Sequence, residues 1–125
     1  MRNLLFILMS VVIFSCNKLP SNGNGNNDGA KIKGKVIRIT CASTTIQILD
    51  SAFYNLGETW TMNGTSNTYE HIATVANKCE FPDALHEGDI FNFKIINEAD
   101  ANNNCAVCAM YDYPPSKSVF LKVIN

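Results

Sequence analysis

The sequence predicts an all-β domain, mainly antiparallel and small. Three observations carry this. Short stretches alternate apolar and polar residues and are rich in Val, Ile, Thr and aromatics; clusters of Gly, Asn, Asp and Pro separate them; and a single short stretch reads as helical.

The elements follow in order. Residues 31–41, KIKGKVIRITC, alternate as a strand does, but the phase slips midway. Ile32, Gly34 and Val36 share one face and Ile37, Ile39 and Cys41 continue it, which calls for a bulge near Val36. Residues 44–50 form a second strand with Ile46 and Ile48 inward. Residues 58–62 and 69–77 flank Asn63-Gly64-Thr65-Ser66-Asn67, a hairpin loop. Residues 81–88, FPDALHEG, place Pro early and Gly at the end, the signature of one helical turn. Residues 89–97 follow as a strand with Phe91, Phe93 and Ile95 on one face. Residues 118–124 close the domain, Val119, Leu121 and Val123 alternating with Ser118, Phe120 and Lys122.

Three strands or strand pairs, a short helical insert and two more strands resemble the order of an OB-fold, as does the Gly88-Asp89 start of the strand after the insert. The resemblance covers residues 31–125 and implies a small OB-like barrel. An immunoglobulin-like β-sandwich is the alternative, because both use short alternating strands divided by turns. The chain shows no internal repeat.

The N-terminal residues are of another kind. Met1-Arg2-Asn3 is a short positive head, and residues 4–14 are apolar except Ser10. A bilayer span needs about 20 apolar residues, so this run has the length of a signal-peptide core instead. It ends at Ile13-Phe14-Ser15-Cys16. Ile13, Ser15 and Cys16 resemble the lipobox of bacterial lipoproteins, with Phe14 bulkier than the commonest choice. The resemblance implies that Cys16 is diacylated, that cleavage falls between Ser15 and Cys16, and that the new amino terminus is acylated. Several acyl chains anchor firmly where one does not, since each buried methylene contributes about 0.8 kcal/mol. Residues 17–30, NKLPSNGNGNNDGA, offer little apolar surface to bury and read as a flexible tether with roughly 20 Å of random-coil reach. The expected division is 1–15 signal peptide, 16–30 lipidated cysteine and tether, and 31–125 a disulfide-stapled β domain. Asn17 after the cysteine, where the family often uses Asp for inner-membrane retention, implies the outer membrane of the cell envelope, facing the periplasm or the surface.

A chain of 125 residues holds one domain at most, with net charge −1. Cleavage before Cys16 would remove Arg2 and leave nine Lys and Arg against eleven Asp and Glu. That balance argues against a nucleic-acid partner.

So small a body buries a modest share of its surface and benefits from covalent staples. With Cys16 assigned to lipid, Cys41, Cys79, Cys105 and Cys108 remain, allowing three pairings. In an up-and-down order Cys41 and Cys79 lie at one end of the domain about two strand spacings apart, roughly 9–10 Å, too far for a disulfide. The loop of residues 98–116 could fold back and bond to both. Two other readings stay open: Cys105 and Cys108 as a C-x-x-C redox couple, although no thioredoxin-like setting surrounds them, and a zinc site, although a second C-x2-C knuckle is missing.

Lys31, Lys33, Lys35 and Arg38 share an outward face of the first strand. They read either as edge protection or as an attraction for anionic headgroups. Trp60, Tyr69, Tyr111 and Tyr113, with Tyr54, read either as core and rim residues or as a binding surface for a peptide or glycan. His71 and His86 lack ligand spacing, and Tyr113-Pro114-Pro115-Ser116 is a stiff turn. No nucleophile elbow, zincin helix, phosphate-cradling loop or carboxylate pair appears. The expected function is therefore non-enzymatic, without metal or cofactor: a membrane-anchored binding module for an envelope protein, peptide or glycan. An envelope inhibitor or accessory factor, and a redox or metal sensor through the C-x-x-C motif, are the alternatives.

Overall fold

A computed structural model describes residues 29–125. The expected signal peptide, Cys16 and all but the last two residues of the expected tether lie outside the described residues. The fold is all-β: β1 (Ile32–Ile39), β2 (Thr44–Ile48), β3 (Glu58–Thr61), β4 (Thr68–Val75), β5 (Ile90–Ile95), β6 (Ser118–Val119) and β7 (Leu121–Ile124).

These strands form one sheet in the order β3-β4-β2-β1-β5-β7, with β6 beside β4. All pairs are antiparallel except β4 with β6. A single curved sheet replaces the two facing layers of the sandwich alternative. The pairings run in the OB-like order, with β1 between β2 and β5, but the sheet does not close by a continuous ladder. The chain breaks step at Phe120, so that β6 bonds β4 over two residues and β7 bonds β5.

Asn77 bridges this seam. Its side-chain amide is buried, accepting from the Leu121 N–H at 2.9 Å and donating to the Leu121 carbonyl at 2.7 Å. One side chain thus stands in for a peptide group beyond the end of β4, satisfying backbone that burial would otherwise leave unpaired.

Of the residues that alternation marks as inward, Ile32, Val36, Ile46, Ile48, Phe91, Phe93, Val119 and Leu121 are buried, while Cys41 is exposed. Ile32, Val36, Ile46, Ile48, Ala73, Val75, Phe91, Phe93, Val119 and Leu121 make one buried cluster. The ladder between β1 and β2 shifts between Val36 and Arg38, a bulge where the sequence phase slips. Past it the strand leaves the core, so Ile37 is half-buried and Ile39 exposed rather than inward. Ile95 likewise reaches the rim.

The helical turn expected over residues 81–88 does not form. Two tight turns take its place, with Leu85 N donating to Pro82 O and Asp89 N to His86 O. β1 claims the backbone a helix would use: Gly88 N donates to Val36 O at 2.8 Å, and Val36 N donates to Asp89 O at 2.9 Å. Gly88 has φ of 96°, a left-handed conformation that glycine accepts at little cost. The helical geometry falls elsewhere, in 3-10 segments at Ser51–Leu56, Lys78–Glu80 and Glu98–Asp100.

Candidate functional site

The loop between β5 and β6 carries little secondary structure, yet it is tied down along its length. Cys105 bonds Cys79, and Cys108 bonds Cys41, with Cα separations of 5.5 and 5.6 Å. Cys41 and Cys79 are therefore joined to the loop and not to each other. The C-x-x-C pair is likewise split between two partners, so neither cysteine is the other's redox couple, and no thiolate among the four is left to hold zinc.

Beyond the disulfides the strapping is polar. Asp112 is buried and accepts from Thr40 Oγ1 at 2.6 Å and Ser43 Oγ at 2.7 Å, both through Oδ2. Its carbonyl accepts from the Arg38 guanidinium at 3.1 Å. Burial raises the Asp112 pKa, but the two hydroxyl donors and the Arg38 charge outweigh it and hold the carboxyl below its ordinary value. Lys78 donates to the Thr40 carbonyl, and burial lowers its pKa while Asp112 opposes the shift.

The C-terminal part of the loop is fixed by the opposite side of the sheet. Thr74 Oγ1 donates to Pro115 O at 2.9 Å. Ser116 donates to the Glu58 carboxylate from both N and Oγ at 2.6 Å, and the hydroxyl bond leads in lowering the Glu58 pKa. Lys117 Nζ donates to the carbonyls of Asn55 and Gly57.

Trp60 belongs to this scaffold rather than to a surface. It is only 8% exposed, and its indole N–H donates to Tyr113 O at 3.1 Å. Its ring lies 6.3 Å from that of half-buried Tyr69. Tyr113, whose carbonyl Trp60 holds, adopts a φ of 51°, a backbone conformation that costs an aromatic residue of order 1–2 kcal/mol and persists where its surroundings enforce it.

What the straps present is apolar. Among the described residues, seven large hydrophobics are exposed, and four of them, Val107, Met110, Tyr111 and Tyr113, lie on this one loop. Tyr111 is 72% exposed and Tyr113 56%, and their rings meet edge to face at 4.7 Å. The five aromatic residues singled out from sequence thus divide, Tyr111 and Tyr113 displayed, Trp60 and Tyr69 behind them, and half-buried Tyr54 stacked on His71. Val107 and Met110 join the display, and only the fold distinguishes them from core residues of the same type.

The histidines stand apart. His71, with φ of 59°, stacks on Tyr54 at 3.5 Å between centroids, and exposed His86 lies 3.8 Å from Asp89. No group of three or more His, Cys, Asp or Glu able to hold a metal occurs among the described residues.

Together these features define a small, disulfide-stapled all-β module with a displayed loop. No protein-family model, no curated protein and no solved structure matches the chain.

Proposed function

We propose that the protein is a lipid-anchored, non-enzymatic binding module of the bacterial cell envelope, and that Val107, Met110, Tyr111 and Tyr113 form its binding surface. One observation carries the reading: the apolar surface of this domain is concentrated on a loop held by two disulfides and a buried carboxylate. An exposed loop rich in apolar groups would be an aggregation liability without a partner. Rigid strapping lowers the entropy cost of docking, since the loop is already ordered, and tyrosine supplies contact area with few rotors to freeze.

Two disulfides are in keeping with an oxidising compartment, as the lipobox resemblance requires. Membrane attachment through Cys16 adds a second constraint, holding the loop within tether reach of the bilayer.

The test uses Tyr111→Ser/Tyr113→Ser in the full chain. Both side chains are exposed, so the melting temperature is expected to stay within a few degrees of wild type. Photo-crosslinking from the neighbouring Met110 position in intact envelopes, or retention on isolated cell-wall sacculi, is expected to fall at least tenfold in the double variant. Equal capture by variant and wild type would remove the loop from the reading. Metabolic labelling with an alkynyl fatty acid checks the anchor, and Cys16→Ala is expected to abolish it.

A further inference from the structure

The turn of residues 81–88 gives its backbone to β1 and leaves its side chains beside the end of that strand. Between them lies a groove of about 340 Å³, at the lower end of the size range of small-molecule pockets. None of the four side chains displayed by the tyrosine loop lines it. Its walls are apolar. Exposed Ile39 forms one, and half-buried Phe81 and Leu85 form another, packed on the buried cluster with Phe81 edge to face on Phe91 at 5.5 Å.

One polar group opens on this groove with nothing to bond. Thr44 lines it, is 1% exposed, and shares the inward face of β2 with buried Ile46 and Ile48. Among the described residues its hydroxyl has no hydrogen-bond partner. A buried hydroxyl left unpaired is costly, and a ligand that bonds it removes the cost.

The charges around the groove are of both signs and stand apart. Lys78 lines it, its Nζ donating to the Thr40 carbonyl, and the carboxylate whose field reaches Lys78 is that of Asp112. An ammonium has three donors, so Thr40 leaves Lys78 others to offer. Asp83 and Glu87 also line the groove, Glu87 accepting from Ile39 N at 2.9 Å through Oε1, and neither acid acts on Lys78 as Asp112 does. His86 is matched by Asp89 on its own turn, 3.8 Å away. A ligand of a single sign therefore loses to one set of charges what it gains from the other. A ligand bearing both signs gains from each.

We infer that this groove binds a small zwitterion with an apolar body, an amino acid or short peptide. Its carboxylate meets Lys78 and the Thr44 hydroxyl, its ammonium meets Glu87 and Asp83, and its side chain lies on Ile39, Phe81 and Leu85. Neither the tyrosine loop nor lipid attachment is needed for it.

Saturation-transfer NMR tests it, since the method detects weak ligands of large particles. The full-length protein, isolated with neutral lipid, is titrated with phenylalanine. Phenethylamine and phenylpropionate, each lacking one of the two charges, serve as competitors. Transfer to the phenyl protons of phenylalanine is expected, with each analogue about tenfold weaker for want of one charge-assisted contact. Displacement by phenylalanyl-phenylalanine at lower concentration than by phenylalanine assigns the groove to peptides, and the reverse assigns it to amino acids; either supports the site. Glu87→Gln keeps an oxygen for Ile39 N and loses the charge, whereas Thr44→Val keeps the shape and loses the hydroxyl. They are expected to weaken phenylalanine about threefold and about fivefold respectively, at unchanged melting temperature. Tyr111→Ser/Tyr113→Ser is expected to bind as wild type does. Should Thr44→Val fail to fold, Glu87→Gln still decides. No transfer at millimolar phenylalanine, a singly charged analogue binding as well as the zwitterion, or wild-type affinity in either groove variant would overturn the inference.

Discussion

Removing one disulfide at a time measures how far the loop depends on its straps. The bond Cys41–Cys108 closes 67 residues and contains the bond Cys79–Cys105, which closes 26. With the inner bond intact, the outer one constrains only about 40 residues of free chain, and the chain-entropy relation then gives about 4 kcal/mol for the outer bond and about 3.5 kcal/mol for the inner. Domains of this size are stable by about 5–15 kcal/mol, so either loss is a large share. Cys41→Ala/Cys108→Ala and Cys79→Ala/Cys105→Ala are each expected to lower the melting temperature by roughly 15–30 °C. Trp60, the only tryptophan in the chain, supplies a second readout, because its indole bonds the loop at Tyr113. Its emission is expected to shift to the red in the outer-bond variant at temperatures where the far-ultraviolet circular dichroism is still native. A fall of less than 5 °C for both variants, or Trp60 emission that changes only with global unfolding, would refute the view that the disulfides hold a loop ordered over an independently folded sheet.

Three further outcomes follow from buried polar groups and one close approach. Asn77→Ala is expected to cost about 2–4 kcal/mol in urea unfolding, because both backbone groups of Leu121 lose their partner at the seam. Asp112 is held below its ordinary pKa, so the stability it contributes is fully present above the unfolded carboxyl value, near 4, and is lost as pH falls through the lower folded value. The urea midpoint is accordingly expected to drop on acidification below about pH 4, less steeply in Asp112→Asn. Gly57→Ala would set a Cβ 2.3 Å from the His71 carbonyl carbon, and since backbone rather than a flexible side chain is met, a loss above about 2 kcal/mol is expected by calorimetry.

Most strands were legible because the signal that defines them is local. Alternation in residues 44–50 and 89–97 depends only on which neighbours are apolar, and Ile46, Ile48, Phe91 and Phe93 are buried accordingly. The slip at Val36 was legible for the same reason, since a bulge restores a broken phase within one strand. Residues 81–88 show where local reasoning stops. Their sequence suits a helical turn, but β1 offers Val36 as a hydrogen-bond partner for Gly88 and Asp89, and Glu87 accepts from Ile39 N at 2.9 Å. A partner fifty residues away cannot be seen in an eight-residue pattern.

The candidate site divides along the same line. That the C-x-x-C loop could bond outward to Cys41 and Cys79 followed from strand spacing, whereas which cysteine takes which partner did not. Nothing in Asp112 or Asn77 marks them as buried, because a carboxylate or amide is ordinarily exposed and becomes structural only where distant donors converge on it. Trp60 and Tyr111 are both aromatic and were read alike, yet one lies beneath the loop and the other on it.

By itself, then, the sequence determined the class of fold, most of its strands and most of the residues facing inward, because period-two patterning acts between neighbours. Only the tertiary structure decided that β1 is central, so that its lysines guard no edge, that Thr44 and Glu87 line one groove, and that four apolar side chains are displayed from one strapped loop. Those facts depend on pairings between residues far apart in the chain, which compete for the same backbone donors and acceptors and are settled only when the whole sheet forms.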